Sequence, residues 1–155
     1  MSKQQTMISC RSHNLCLRRA LAQAEQLCQR QALRLTALRR RVLAIVWKSH
    51  HPQKAYGILK AIGGDAKPPK VYRALDFLRS CGLVHKLQSQ NAYVGCAHPG
   101  EKHTCCFLIC ARCGEYAECC NPQIERAIGR TAAGSNFLPQ NITVEIEGLC
   151  PQCAG

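Results

Sequence analysis

Acidic side chains are scarce in this chain: nine Asp and Glu stand among 155 residues, against 21 Lys and Arg. They are dispersed, so there is no acidic cluster of the kind that handles phosphate through metal ions, and no catalytic residue is singled out; the reading is of a protein that is not an enzyme. Long apolar runs are missing too. No stretch approaches the roughly 20 apolar residues needed to span a bilayer. The first residues, MSKQQTMISCRSHNLCLRRALAQ, hold no apolar run long enough for a signal peptide. The expectation is a cytoplasmic protein with no membrane partner, in which thiols stay reduced and clustered cysteine means metal or redox chemistry. Internal repeats and low-complexity segments are absent as well. A hydrophobic content of 46% is that of a folded chain, long enough for two small domains, one of which a metal staple would help.

What is present is unevenly divided. Residues 1–90 carry 17 Lys and Arg against three acids, whereas residues 91–155 carry four against six. A basic half joined to a nearly neutral one is the electrostatic outline of a nucleic-acid-binding module plus something else, with a solvated basic surface or a membrane-facing patch as the plainer alternative. Cysteine is divided the opposite way, nine of 13 lying after residue 90. An odd total leaves a thiol over in any scheme made only of disulfides.

Apolar spacing over Leu15, Leu17, Leu21, Ala24, Leu27 and Cys28 predicts a first amphipathic helix after a loose tail. Thr36 caps a second helix containing Val42, Leu43, Val46 and Trp47. A short third runs through KAYGILKAI, 54–62, to Gly63-Gly64. Pro68 and Pro69 open a fourth, KVYRALDFLRSC, closed by Gly82, with Val71, Ala74, Leu75 and Leu78 on one face and Arg73 on the other. Two alternating segments, 83–88 and 92–96, then flank the turn-like SQN. Helices followed by a hairpin describe a winged helix-turn-helix, in which a helix enters the major groove of DNA; a helical bundle with an appended hairpin is the alternative. After 97–102 the character changes to strands around a Cys pair, a helix opened by Asn121-Pro122, and a strand over 141–149. The fold class expected is α+β: a tail over 1–14, a winged-helix domain over 15–96, a hinge over 97–102, and a small α/β domain over 103–155.

Two CxxC pairs, Cys110/Cys113 and Cys150/Cys153, suit a tetrahedral four-thiolate zinc site. A redox pair and an iron–sulfur cluster are the alternatives. The 36 residues between the pairs must fold back to close it. A second set is assembled from the hairpin: pairing about Gln90-Asn91 places His85 opposite Cys96 on one face. His103 and Glu118, flanking the first CxxC, complete an N₂SO set suited to zinc. His98 is either a further ligand or a hinge residue.

LRLT at 33–36, PPKVYRALDFL, GLVHKLQSQNAYVGC, HTCCFLICARCGEYAEC and GLCPQC, in this order from about residue 15 onward, resemble the ferric uptake regulator family, most closely its zinc uptake branch. The resemblance implies a homodimeric repressor with about two Zn²⁺ per protomer, one structural at Cys110, Cys113, Cys150 and Cys153 and one regulatory at His85, Cys96, His103 and Glu118. It implies DNA contacts by Tyr72 and Arg73 on the fourth helix and by Tyr56 on the third, with Lys70 adding charge. The DNA partner would be an A·T-rich palindromic operator controlling zinc uptake genes, and no small molecule other than zinc is expected. Iron-sensing relatives place an HxH where Cys105 and Phe107 stand here, which speaks against iron. Ala37 replaces a common proline, Lys70 a common threonine. Lys60 and Gly63 stand where some zinc-branch members carry an acid and a base that link neighbouring dimers, which speaks against that pairing. A sensor of another metal or of peroxide, a constitutive zinc-ribbon nucleic-acid-binding protein, and a thiol switch in the adjacent cysteines are the other readings; neighbouring cysteines bridge poorly.

Overall fold

Four helices and a hairpin come first: α1 (His13–Arg30), α2 (Ala37–Trp47), α3 (Ala55–Ile62), α4 (Pro68–Ser80), β1 (Val84–Leu87) and β2 (Ala92–Gly95). Then follow β3 (Cys105–Cys110), β4 (Tyr116–Cys119), α5 (Pro122–Gly134), β5 (Thr143–Gly148) and the short α6 (Pro151–Ala154). The computed structural model describes residues 13–64, 66–101 and 103–155. These form two compact units, within 9–101 and 102–155. The tail expected over 1–14 lies outside the described residues as far as position 12. The mixed α+β class expected from the sequence is the one found.

In the first unit, the apolar face of each helix meets the others in one core. Val42, Leu43 and Val46 of α2, Ile58 of α3, and Val71, Leu75 and Leu78 of α4 are buried together with Leu83, Val84 and Tyr93. The Thr36 side chain accepts the Arg39 N–H at 3.4 Å and starts α2. Gly82, at φ +68°, ends α4. It lets the Leu83 N–H turn back to the Leu78 carbonyl at 2.9 Å and delivers the chain directly into β1. Gln53, in the loop after α2, exchanges two 2.8 Å backbone bonds with Tyr93 and fastens the hairpin to the helices.

The hairpin register differs from the expected one. His85 faces Val94, not Cys96, because the turn occupies Gln88–Asn91 and its centre lies one residue earlier. Asn91, at φ +47°, closes that turn in the left-handed region that Asn tolerates. Cys96 lies just past β2, and its N–H donates to the Leu83 carbonyl at 3.0 Å. It is therefore diagonal to His85 on the same face.

The second unit is a three-stranded sheet in the order β4-β3-β5. β3 and β4 form an antiparallel hairpin across the first CxxC, and β5 returns parallel to β3 on its other side after α5. Asn121 accepts the Gln123 N–H at 2.9 Å and Pro122 takes the first turn of α5, as read from sequence. No residue of α5 is buried. A groove of about 810 Å³ lies between α5 and β5, lined by Ala127, Ile128, Ala132, Phe137, Ile142 and Val144 among others.

Candidate metal centres

The parallel register of β3 and β5 solves the spacing of the two CxxC pairs. Cys110, the last residue of β3, stands beside Gly148, the last of β5. Both chains therefore leave the sheet at one end, and Cys150 arrives next to Cys110 although 39 residues separate them in sequence. The four thiol sulfurs of Cys110, Cys113, Cys150 and Cys153 all lie within 4.8 Å of one another. The Cys113 and Cys150 sulfurs are 3.9 Å apart. Tetrahedral Zn–S bonds of 2.3 Å place sulfurs about 3.8 Å apart, so the set fits zinc. Gly114, at φ +75°, turns the first pair back, its N–H donating to the Cys110 carbonyl at 2.9 Å. The N–H of Cys153 does the same for Cys150 at 2.9 Å at the start of α6.

The electrostatics of these thiols point the same way. Backbone amides of Cys113 and Cys150 donate to the Cys110 sulfur and hold its pKa down at about 6. Contact with the Cys150 thiol, then burial and the other thiols, pushes Cys153 up to about 12. The cluster welcomes a first negative charge and resists a further one. A divalent cation at its centre removes that conflict. Arg112, between the first two cysteines, donates to the Cys153 carbonyl at 2.6 Å and ties the two turns together. Neither this contact nor α6 was evident from sequence; a cation inside a CxxC turn is the one signal that could have shown it.

The second set divides between the units. In the first unit, His85 on β1 and Cys96 after β2 offer ligand atoms within 4.8 Å of each other, with Cys96 buried. In the second unit, His103 Nε2 lies 3.0 Å from Glu118 Oε1, and Glu118, on β4, is 4% exposed. A carboxylate so deeply buried needs a cation or a donor beside it. Each pair brings two possible ligand atoms together within its own unit.

The residues expected to meet DNA are on the surface of the first unit. Tyr56 of α3 and Tyr72 of α4 are 76% and 52% exposed. They border a cleft of about 250 Å³ between the two helices. Lys70 and Arg73 on α4 are exposed as well. The buried face of α4 is Val71, Ala74, Leu75 and Leu78, as its spacing predicts.

A sequence model of the ferric uptake regulator family matches residues 30–147. The chain belongs to this family. Among its members, the zinc uptake regulation protein of Escherichia coli (strain K12) is 39% identical over 137 residues, covering 86% of this chain and 80% of that protein. Among solved structures, a zinc uptake regulator complexed with zinc and DNA superposes with a TM-score of 0.84 at 38% identity, covering 89% of this chain and 95% of that one. The crystal structure of holo XcZur gives 0.83 at 38% identity, covering 92% and 99%. The ferric uptake regulator family thus supplies the fold of both units, and among the described residues no helix is long and apolar enough to cross a membrane.

Proposed function

We propose that this chain is a zinc-responsive transcriptional repressor that binds operator DNA as a homodimer, with zinc as its corepressor. The observation that carries the reading is the 0.84 superposition, at 38% identity, on a zinc uptake regulator bound to zinc and DNA. The exposed Tyr56, Lys70, Tyr72 and Arg73 on a strongly basic unit support the DNA contact.

About two zinc ions per protomer fit the ligand sets. Cys110, Cys113, Cys150 and Cys153 form a closed four-thiolate shell with a structural role. His85 and Cys96, joined with His103 and Glu118, form the regulatory one. When bound there, zinc supplies bonds that tie the unit within 9–101 to the unit within 102–155 across a hinge at 97–102. Glu118 is held by the sheet with His103 bonded to it, and His85 and Cys96 stand on and just after the hairpin, so a shared ion restrains the recognition helices. In a homodimer this sets the distance between two copies of α4, which must match half-sites about one helical turn apart. Without the tie only a fraction of orientations is competent, and apparent affinity falls by that fraction.

The homodimer rests on the open apolar side of the second unit. Phe137, Leu138, Ile146 and Leu149 are 65%, 89%, 47% and 52% exposed next to the α5–β5 groove. A second copy covering this face accounts for an α5 with no buried residue. The test is fluorescence anisotropy of an A·T-rich palindromic duplex titrated with protein at buffered free zinc, with a scrambled duplex and ferrous iron in parallel. Specific binding that appears only above a zinc threshold is expected. Binding that ignores zinc would reduce the chain to a constitutive zinc-stabilised DNA-binding protein.

A further inference from the structure

Four cysteines, Cys105, Cys106, Cys119 and Cys120, belong to neither ligand set. In sequence they form two adjacent pairs, and neighbouring cysteines bridge poorly. The sheet adds to that, because successive strand residues point to opposite faces. The register instead sets Cys106 of β3 directly opposite Cys119 of β4. Their thiols are in hydrogen-bond contact. Directly paired residues of an antiparallel ladder have Cα atoms about 4.5–5.5 Å apart, inside the range a disulfide spans.

Access divides the labour between the two sulfurs. β3 is the central strand and Cys106 is 1% exposed; β4 is an edge strand and Cys119 is partly open to solvent. Outside the CxxC cluster, Cys28 and Cys81 are also in contact, but both are buried in the helical core. The 106/119 pair combines a reachable thiol with a partner already in contact.

We propose that Cys106 and Cys119 form an oxidisable dithiol, a modification site for hydrogen peroxide whose disulfide form disturbs the adjacent Glu118. The Cys119 thiolate attacks one peroxide oxygen, the O–O bond breaks, and hydroxide leaves and is protonated to water, giving a sulfenic acid. The Cys106 sulfur then attacks that sulfenic sulfur, the S–S bond forms, the S–O bond breaks, and a second water leaves with the thiol proton. Two thiols lose two electrons and peroxide becomes two waters. Drawing Cys119 toward Cys106 shifts the backbone next to Glu118, whose partner on β3, Phe107, is in turn next to Cys106. The expected cost is roughly tenfold in affinity for the second zinc, the size of effect seen when a ligand's support is altered. This coupling, unlike the dithiol itself, rests on Glu118 being a zinc ligand.

The full chain loaded with zinc is treated with hydrogen peroxide, alkylated, digested without reduction and mapped by mass spectrometry. The expected product is a 106–119 linked peptide pair, two hydrogens lighter than the free thiols, with one zinc per chain retained by the CxxC pairs. Cys119→Ser and Cys106→Ala should each abolish the link, and Cys120→Ser, on the opposite face, should not. Oxidation of the CxxC cysteines with zinc release, or a Cys119 sulfinic acid without a link, would overturn the proposal. A link that leaves second-zinc affinity unchanged overturns the coupling to Glu118. If untreated protein takes up no second zinc at all, the regulatory-site reading fails while the link is still read independently.

Discussion

Single residues carry separable duties here, and substitution should separate them. Arg73 is exposed on α4. If it reads a base edge, Arg73→Ala should cost roughly 1–3 kcal/mol on the specific duplex and little on a scrambled one, measured by anisotropy at fixed salt. Arg39, equally basic, stands 3.5 Å from the centroid of the Phe77 ring and donates to the Arg34 carbonyl at 2.6 Å. Part of the basic charge is therefore structural, which a charge count along the sequence does not distinguish. Cys96→Ser should lose one zinc equivalent and zinc-dependent DNA binding while the circular dichroism of the folded protein persists; an unfolded product would contradict a regulatory role. Gly95 shows what the sequence hid. A Cβ there would lie 2.3 Å from the Trp47 ring. Gly95→Ala should destabilise the first unit by about 1–3 kcal/mol in urea denaturation, because the indole must move out of a packed site.

Helices and strands show which signals in a sequence are local. Helix starts at Thr36, Pro68 and Asn121 were legible because a cap and its helix are a few residues apart. Three helices end with the same pair of backbone bonds around a residue of positive φ: Gly82 after α4, Asn136 after α5 and Ala32 after α1. Gly and Asn accept that conformation readily; Ala, at φ +53°, is strained. Ala32→Gly should therefore raise stability, by about 1 kcal/mol, and a lowered urea midpoint would argue against the strain. The hairpin register was misplaced because period-two alternation tells which residues share a face but not which turn residue adopts a left-handed conformation. The parallel pairing of β5 with β3 was not visible either, since nothing within either strand names its partner. Yet it brings Cys110 and Cys150 together, and Cys113→Ser should unfold the second unit and lose the dimer by sedimentation; a stable dimeric variant would remove the structural assignment.

At the scale of the whole molecule, charge and cysteine are segregated between the two units, and that division was readable from composition. The ligand set proposed to span them was reached both from hairpin pairing with the residues flanking the first CxxC and from the family resemblance. Raising salt should weaken binding to specific and scrambled DNA alike, because it acts on phosphate contacts. Chelation should act in two stages, first removing the ion of the His85, Cys96, His103 and Glu118 set with loss of DNA binding, then the four-thiolate ion with loss of the second unit's fold; simultaneous loss, followed by zinc release and circular dichroism, would contradict separate sites.

The parallel return of β5 also sets an order of assembly. The β3–β4 hairpin closes over a few residues and is the kind of contact that forms within microseconds. It presents Cys110 and Cys113 as a finished half-shell while the other half waits for α5 to cross and β5 to dock. An ion caught early by two thiolates would tether the growing sheet, so refolding with zinc present from the start should outpace refolding with zinc added late, and the metal becomes a participant in folding as well as its product.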